Sequence, residues 1–294
     1  MTLVTADPQT LADTAPPQPV NLSAAINPNK ALWEKGDFTR LAATMRESGD
    51  ELIDGLGVKP GMEVLDLGCG DGTTALPSAR RGAKVLGVDI AANLVAAGNV
   101  RAQAESLTNL RFEEGDASRL DVVGDDRFDL VVTIFGAMFA ARPFDTAREM
   151  VRVTRPGGRI VMGNWIPGDP TLIARVLQIC AGYTPVPPEG FVSPVTWGQE
   201  ANVRERFVAA GIAEENISCE RATYTFRYDG PARDFLTIFR DYYGPTMNAF
   251  EAAERNGKRE ALQAELIALF EAENRGDESR TEIPATFLKV IVRK

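Results

Sequence analysis

Three glycines at alternate positions, Gly68, Gly70 and Gly72, follow a short apolar run and precede a helical pattern. This order predicts a buried strand, a tight turn and the start of a helix. A residue without a Cβ permits positive φ and lets a ligand lie directly against the backbone. The free N–H groups at the start of a helix can also bind a polar or anionic group. The turn therefore predicts a ligand-binding site.

The residues beside the turn argue against a dinucleotide ligand. Dinucleotide enzymes use G-x-G-x-x-G and place the pyrophosphate on the helix N-terminus. Here the third glycine comes one position early, at Gly72, and Thr73 stands where that pattern has Gly or Ala. Asp66, two positions before the first glycine, would repel a pyrophosphate but would suit an ammonium group. An NAD-linked oxidoreductase stays an alternative only if Thr73 is harmless and Asp66 is irrelevant.

The whole string around the turn is more specific than its glycines alone. Val64-Leu65-Asp66-Leu67-Gly68-Cys69-Gly70-Asp71-Gly72 resembles the first motif of the class I S-adenosylmethionine (SAM) methyltransferases. The resemblance implies that this turn holds the amino-acid end of SAM, whose product form is S-adenosylhomocysteine (SAH). The cofactor-binding residues that it implies here are Asp66, Gly68, Cys69, Gly70, Gly72 and Thr73.

Two later segments predict contacts to the nucleoside end of the cofactor. Asp89 ends the next predicted strand, where a carboxylate can accept hydrogen bonds from both hydroxyls of a ribose. NAD enzymes and SAM enzymes share that feature, so it does not separate them. Ile90 would offer an apolar face to the adenine. Gly115-Asp116-Ala117 resembles the family's adenine motif, in which the Asp accepts from the exocyclic amine, and a plain polar turn is the alternative.

The segment after the fourth predicted strand would lie beside the sulfonium. In the family that it resembles, this position implies cofactor contacts from Thr133, Phe135 and Gly136. Phe135, Met138 and Phe139 line the cofactor and substrate pockets on one interpretation and belong to the core on the other, and the sequence leaves both open.

The segment Trp33-Glu34-Lys35-Gly36-Asp37-Phe38 resembles the pre-core region of small-molecule methyltransferases. There it covers the methionine end of SAM, which implies a cofactor contact from Trp33. The alternative is that Trp33 and Phe38 merely pack a helix on the sheet.

No side chain stands out as a catalytic residue. The chain has no histidine, which removes the usual general base, the usual transition-metal ligand and any Ser-His-Asp triad. Methyl transfer from a sulfonium needs a base only if the nucleophile arrives protonated. A base would then be Asp, Glu or a Tyr phenolate, and Asp241, Tyr242 and Glu189 are weak candidates. We expect the substrate wall in the segment Phe239 to Pro245, which is dense in aromatic and polar groups.

Strands that alternate with helices up to about residue 165 predict a parallel doubly wound sheet. Ligands bind outside the carboxyl ends of such strands, and the candidate cofactor residues fall at those ends. Residues Lys30 to Leu56 predict a helix, and Arg155 to Gly158 predict a sharp turn before the fifth strand. The resemblance implies a Rossmann-like α/β fold with a seven-stranded sheet, mostly parallel with an antiparallel last strand.

The last two predicted strands, Ile217 to Tyr228 and Ala285 to Val292, are too far apart in the chain for a hairpin. The residues between them predict two helices, Ala232 to about Ala253 and Lys258 to about Asn274, which we expect to cover the crevice. The predicted organisation is a flexible tail at 1–27 and a methyltransferase domain at 28–294, with substrate-cover segments at about 166–200 and 231–280.

Composition limits the class of partner. The chain has 294 residues, a net charge of −9 and a pI near 4.8, whereas nucleic-acid binding usually needs a basic face. Its three cysteines form no metal or disulfide pattern, and no apolar run is long enough for a membrane helix. Without a recognisable signal peptide, we expect a cytoplasmic protein that acts on a small molecule and could form a homo-oligomer.

The sequence thus predicts a SAM-dependent methyltransferase that transfers a methyl group by SN2 displacement to a small-molecule acceptor. The resemblance is strongest to the methyltransferase type 11 group of ubiquinone and menaquinone biosynthesis. A non-catalytic SAM-binding protein is the main alternative, and an NAD-linked oxidoreductase is the weaker one.

Overall fold

A computed structural model describes residues 29–121 and 123–294. The predicted tail at 1–27 lies outside the described residues. The strands are β1 (Glu63–Leu67), β2 (Lys84–Asp89), β3 (Leu110–Glu114), β4 (Phe128–Ile134), β5 (Thr154–Trp165), β6 (Ile217–Tyr228) and β7 (Thr281–Arg293). They form one seven-stranded sheet in the order β3-β2-β1-β4-β5-β7-β6. The first five strands pair in parallel, and β7 runs antiparallel to both β5 and β6. This is the predicted seven-stranded, Rossmann-like α/β fold.

Helices cover both faces of the sheet. The α-helices are α1 (Lys30–Trp33), α2 (Thr39–Ala43), α3 (Arg46–Gly55), α4 (Ala75–Arg80), α5 (Ala92–Ala104), α6 (Pro143–Val153), α7 (Leu172–Ala181), α8 (Glu200–Ala209), α9 (Ala232–Tyr242), α10 (Gly244–Arg255) and α11 (Arg259–Glu273). Short 3₁₀ turns lie at Ala137–Phe139, Pro194–Gly198 and Glu214–Asn216. Within the described ranges, no helix is both long and apolar enough to cross a bilayer.

The buried apolar strands explain the layered arrangement. In β1, Leu65 and Leu67 belong to one apolar core while Val64 belongs to the other, because successive side chains of a strand point to opposite faces. Helix α6 packs in the first core and α4 in the second. A parallel sheet with both faces buried requires apolar strands of this kind.

The strand register brings the candidate residues to one edge of the sheet. Leu67, at the end of β1, pairs with Val88 in β2, and Asp66 pairs with Val132 in β4. The glycine turn after β1, Asp89 at the end of β2 and the loop after β4 therefore meet at the carboxyl edge. Helices α9 to α11, between β6 and β7, pack on one another, and α10 and α11 also pack on α7, so the chain has the predicted helical insertion between its last two strands.

Two predicted helices are broken in the structure. The helix expected over Lys30 to Leu56 is three short helices, α1 to α3, and Gly36 between α1 and α2 has a φ of +76°. A Cβ on Gly36 would lie 2.9 Å from the Met247 Sδ, so α10 packs closely on this break, and the positive φ favours glycine there. The prediction of one continuous helix was wrong because this break depends on a distant residue.

The helix expected over Ala232 to Ala253 divides into α9 and α10. Tyr243 between them is extended, and Pro245 stands in the first turn of α10, where its missing N–H costs no hydrogen bond. A Cβ on Gly244 would lie 2.5 Å from the Leu32 carbonyl oxygen. The prediction of one helix was therefore wrong at this junction, where α10 packs on α1.

The predicted turn at Arg155 to Gly158 lies inside β5. Phe128 pairs with Thr154, and Leu130 pairs with Arg159, so the four residues between them bulge from the ladder. Gly157 N–H donates to the Lys294 carbonyl at 2.8 Å, which ties the bulge to the chain end. The last strand also begins earlier than predicted, at Thr281.

Candidate active site

A mostly apolar cavity opens at the carboxyl edge of the parallel strands. The empty space between its walls, counted together with the open solvent at its mouth, is about 1120 Å³. Most of the predicted cofactor residues line it. They are Trp33, Gly68, Cys69, Gly70, Thr73, Asp89, Ile90, Gly115, Ala117, Phe135 and Gly136.

The glycine turn has the open backbone that a ligand needs. Gly70 has a φ of +54°, and a Cβ placed on it would meet no atom within 4 Å. Its N–H donates to the Asp89 Oδ2 at 2.8 Å, and the Gly68 N–H donates to the Val88 carbonyl at 2.7 Å. The turn is thus fixed to the end of β2 while one face stays free for a ligand.

A close backbone contact joins the turn to the loop after β4. A Cβ on Gly68 would lie 2.6 Å from the Gly136 Cα, and Gly68 has a φ of +68°. Phe135, directly before Gly136, also has a positive φ, of +65°, which is uncommon for a bulky residue. Sequence reasoning assigned Gly68 and Gly136 to the cofactor separately and missed that each makes room for the other.

Asp89 has the geometry of a ribose-binding carboxylate. Its Oδ1 accepts from the Ala91 N–H at 2.9 Å and its Oδ2 from the Gly70 N–H at 2.8 Å. Burial raises the pKa of Asp89, and these backbone hydrogen bonds oppose the rise. The side chain lines the cavity, and each carboxylate oxygen has a second lone pair for a ligand hydroxyl.

Asp66 lies behind the cavity wall. It is only 1% exposed, and the Thr74 hydroxyl, which lines the cavity, donates to its Oδ2 at 2.5 Å. Burial raises the pKa of Asp66 to about 7, more than the hydrogen bond from Thr74 lowers it. No hydrogen-bond partner among the described residues satisfies its Oδ1. Oδ1 is an orphaned acceptor enclosed behind the wall, with Thr74 between Asp66 and the cavity, so its pairing with the ammonium of SAM stays a prediction.

Three further predicted residues also lie outside the cavity wall. Gly72, with a φ of +93°, makes room for Phe112, whose Cζ would lie 2.6 Å from a Cβ there. Asp116 Oδ1 accepts from the Ser118 N–H and hydroxyl at 2.8 and 2.6 Å. Thr133 accepts from the Ala137 N–H at 2.9 Å. These contacts shape the turns that carry the lining residues.

Sequence reasoning missed Asp71, a buried carboxylate that lines the cavity beside the glycine turn. Its Oδ2 pairs with the Arg46 Nη2 at 3.0 Å and with the Arg101 Nη1 at 3.2 Å. Arg101 also donates to the Asp71 carbonyl at 2.7 Å. Asp71 therefore clamps the turn to α3 and α5, and its place in the motif was the only signal in the sequence.

None of the weak candidates for a catalytic base lines the cavity. Asp241 pairs with the Arg240 guanidinium at 2.7 Å, which holds the pKa of that carboxyl below its usual range. Glu189 lies in an exposed loop, and Tyr242 lies just outside the wall. Of the predicted substrate wall from Phe239 to Pro245, only Tyr243 reaches the described cavity.

The half of the cavity over β5 and β6 has walls of large apolar side chains. We call it the acceptor chamber, and its walls are Trp165, Ile173, Tyr224, Phe226 and Tyr243. The ring of Phe135 stacks on Trp165 at a centroid distance of 3.6 Å, at the border with the cofactor half. Since strand order places β5 and β6 on the far side of β4 from β2, the chamber lies beside the predicted cofactor position.

Four rings, the aromatic quartet, roof the cavity: Trp33, Phe38, Phe139 and Tyr243. Trp33 contacts the other three rings at centroid distances of 4.7 to 6.0 Å, and Phe38 lies 6.3 Å from Tyr243. Phe135 and Phe139 are both buried and both line the cavity, whereas Met138 is buried and does not line it. Whether Phe135 and Phe139 contact a cofactor or substrate stays a prediction.

No cluster of three or more Cys, Asp or Glu side chains suited to a metal ion occurs at 29–121 or 123–294. The donor set of the cavity suits an organic cofactor, because Asp89, the open backbone at Gly70 and the apolar Ile90 match a ribose, an amino-acid end and an adenine.

Comparison with known proteins identifies the family of the segment that carries these residues. Residues 64–158 match the family described as a methyltransferase domain. An uncharacterised protein of Mycobacterium tuberculosis is 31% identical over 239 residues, 81% of this chain and 84% of that protein. A demethylmenaquinone methyltransferase of Beutenbergia cavernae is 39% identical over 113 residues, 38% of this chain and 45% of that protein. The structure of the YcgJ protein of Bacillus subtilis superposes with a TM-score of 0.53 at 19% identity, covering 84% of this chain and 99% of that one.

This chain belongs to the class I SAM-dependent methyltransferases. In this methyltransferase the family match begins at Val64 in β1 and ends at Gly158 in the bulge of β5. The match thus spans the cofactor half of the sheet, whereas β6, β7 and the cover helices that wall the acceptor chamber lie beyond it.

Proposed function

We propose that this methyltransferase transfers a methyl group from SAM to a small-molecule acceptor by SN2 displacement. The observation that carries the proposal is that one cavity contains both the cofactor residues at the glycine turn and the acceptor chamber. A non-catalytic SAM-binding protein would need no second compartment beside the methyl group.

The residues of this chain have three tasks in such a reaction. Asp89 and the glycine turn bind the cofactor, with the Asp66 carboxylate as the predicted partner of its ammonium group. The acceptor chamber holds the nucleophile in line with the methyl group. The aromatic quartet excludes water. Bound SAM supplies an activated methyl on a sulfonium, so alignment is the main requirement, and proximity can contribute about 7–11 kcal/mol in favourable cases.

The proton of the acceptor needs no dedicated base on the protein. The acceptor atom uses a lone pair to bond the methyl carbon as the carbon–sulfur bond breaks, and the electron pair of that bond stays on sulfur. A proton carried by the acceptor atom then passes to water at the open mouth of the cavity. Burial raises the pKa of both Tyr224 and Tyr243, so neither phenol ionises near neutral pH to act as a base.

The charge of the cavity supports a small molecule over a nucleic acid. Within the described part of the chain, no Lys or Arg side chain lines the cavity, and the net charge of the whole chain is −9. A nucleic-acid substrate would need cations along the path to the methyl group. The cytoplasmic location and a homo-oligomeric state stay predictions from the sequence.

Isothermal calorimetry with SAM, SAH and NAD tests the cofactor, and SAH formation with candidate acceptors tests catalysis. We expect micromolar binding of SAM and SAH without binding of NAD. Binding of NAD alone would contradict the proposal and favour the oxidoreductase alternative. Tight SAM binding with no SAH formed across a broad panel of small aromatic acceptors would favour the non-catalytic alternative.

A further inference from the structure

The charged groups of the cavity lie only in its cofactor half. Asp71 and Asp89 are the charged side chains that line it within the described ranges, and both belong to the region of the glycine turn. Asp71 is already paired with Arg46 and Arg101. The acceptor chamber is walled by indole, phenol, phenyl and alkyl groups, with no cation.

An anionic acceptor would therefore lose its hydration in the chamber without gaining a counterion. Burial of an unpaired carboxylate or phosphate is strongly unfavourable. Lys30 and Lys35 flank Trp33 of the roof in the sequence, but the Lys30 Nζ is held by the Ile90 carbonyl at 2.9 Å and by Glu114 at 2.5 Å, and Lys35 pairs with Glu251. Neither lysine lines the cavity.

A cationic acceptor is not favoured either. Aromatic cages bind ammonium groups when the rings surround a space for the cation. In the aromatic quartet the rings pack on one another, with Trp33 4.7 Å from Phe139 and 5.4 Å from Phe38, both close to edge-to-face. That spacing is ring-to-ring contact and leaves no room between the rings for an ammonium.

The two chamber tyrosines differ in their hydrogen bonds. The Tyr224 hydroxyl donates to the Met45 carbonyl at 2.9 Å. Tyr243 is only 4% exposed, yet its hydroxyl has no hydrogen bond to any residue at 29–121 or 123–294. The Tyr243 hydroxyl oxygen is not fully enclosed and keeps some accessible surface. The residue that carries it lines the cavity.

We propose that the acceptor is an uncharged, ring-sized apolar molecule, an inference that rests on the proposed function. A polar atom of this molecule accepts a hydrogen bond from the Tyr243 hydroxyl. Tyr243 is then a specificity-determining residue. A buried hydroxyl without a partner is costly, and an acceptor oxygen or nitrogen satisfies it. Because burial raises the pKa of Tyr243, it stays a neutral donor and takes no proton from the acceptor.

Binding of a matched pair of probes tests the charge of the acceptor. Methyl ferulate and ferulate share one ring and one phenol, and differ in that the ester is neutral and the acid is an anion. Each is titrated by calorimetry into the full chain saturated with SAH. We expect the ester to bind at least about tenfold more tightly than the acid, because the acid must bury an unpaired carboxylate.

The variant Tyr243→Phe tests the hydrogen bond, because it removes the hydroxyl and keeps the ring in the aromatic quartet. We expect methyl ferulate to bind about 5- to 10-fold more weakly to the variant, the usual effect of losing one such bond. SAH affinity should not change. Tyr242→Phe is the matched control, since Tyr242 is the neighbouring phenol and lies outside the cavity wall, and it should leave both affinities unchanged.

Each other outcome overturns part of the proposal. Ferulate binding as tightly as its ester, or neither probe binding to the SAH complex, would refute an uncharged ring-sized acceptor. An unchanged affinity of Tyr243→Phe for methyl ferulate would refute the hydrogen bond. Failure of the chain to bind SAH would instead refute the proposed function, so the two failures are distinguishable.

Discussion

Asp89 binds two backbone N–H groups and still faces the cavity, so it connects the turn to the predicted ribose. We expect Asp89→Ala to weaken SAM binding by about 10- to 100-fold, because two hydroxyls lose a charged acceptor. Calorimetry measures the change. Asp129→Ala is the control, since Asp129 accepts from the Glu63 N–H at the opposite end of the sheet. Equal effects of the two variants on SAM affinity would contradict the assignment.

Asp66 makes stability depend on pH. Burial raises its pKa to about 7 in the folded chain, so the native state binds a proton that the unfolded state releases near pH 4. Its contribution therefore becomes less favourable as pH rises from about 4 to 7. Between pH 5 and pH 8, we expect the free energy of unfolding of Asp66→Asn to rise by about 2 kcal/mol relative to that of the wild type. Urea unfolding of both proteins at the two pH values measures this difference. A difference that does not change with pH would show that Asp66 is ionised throughout.

Single residues of the candidate site could be predicted from the sequence when the signal for them lies within one short motif. Gly70 and Asp89 were found this way, because strand ends and glycine turns have short-range signals. The pairing of Asp71 with Arg46 and Arg101 was not found, because those arginines are distant in the chain and each is an ordinary helical residue. Of the seven residues predicted to form the substrate wall, Tyr243 alone lines the cavity, and this could be seen only once the fold was known.

At the scale of elements, two glycines with similar backbone geometry allow a test of whether a ligand lies against the glycine turn. Gly70 and Gly57 both have positive φ, of +54° and +63°, and a Cβ on either would meet no atom within 4 Å. Both Gly→Ala variants therefore carry the same left-handed backbone cost, about 1–2 kcal/mol. Only Gly70 lines the cavity.

We expect Gly70→Ala to lower SAH affinity by at least about tenfold, because the added methyl occupies space that the ligand needs against the backbone. Gly57→Ala should lower the free energy of unfolding by a similar amount and leave SAH affinity unchanged. Calorimetry and urea unfolding of both variants separate the two effects. Normal SAH binding by Gly70→Ala would place the cofactor elsewhere along the turn.

Strands were predictable to within a few residues, whereas breaks in helices were not. The apolar runs of β1 and β4 are bounded by polar or glycine residues, and local pattern alone places them. In β6 the signal is a β-branched and aromatic segment with polar residues interspersed. The breaks at Gly36 and Gly244 depend on the approach of Met247 and of the Leu32 carbonyl, which are tertiary contacts. Periodicity continues through both breaks, so it predicted longer helices.

At the scale of the whole molecule, one segment joins the two halves of the cavity. We call residues 29–38 the strap. At the cofactor rim, Lys30 Nζ donates to the Ile90 carbonyl and pairs with Glu114. At the other end, Lys35 Nζ pairs with Glu251 in α10 at 2.7 Å. The strap also carries Trp33 and Phe38 of the aromatic quartet, so the two ion pairs hold these rings against the cavity.

We expect the double variant Lys30→Ala/Lys35→Ala to release SAH about two- to fivefold faster than the wild type, because each half-exposed ion pair contributes little alone. Stopped-flow tryptophan fluorescence follows release, since Trp33 and Trp165 line the cavity. Lys84→Ala is the control, because Lys84 pairs with Glu63 at 3.4 Å at the opposite edge of the sheet. Higher salt should speed release from the wild type towards the rate of the double variant. An unchanged release rate in the double variant would show that the rings alone hold the strap closed.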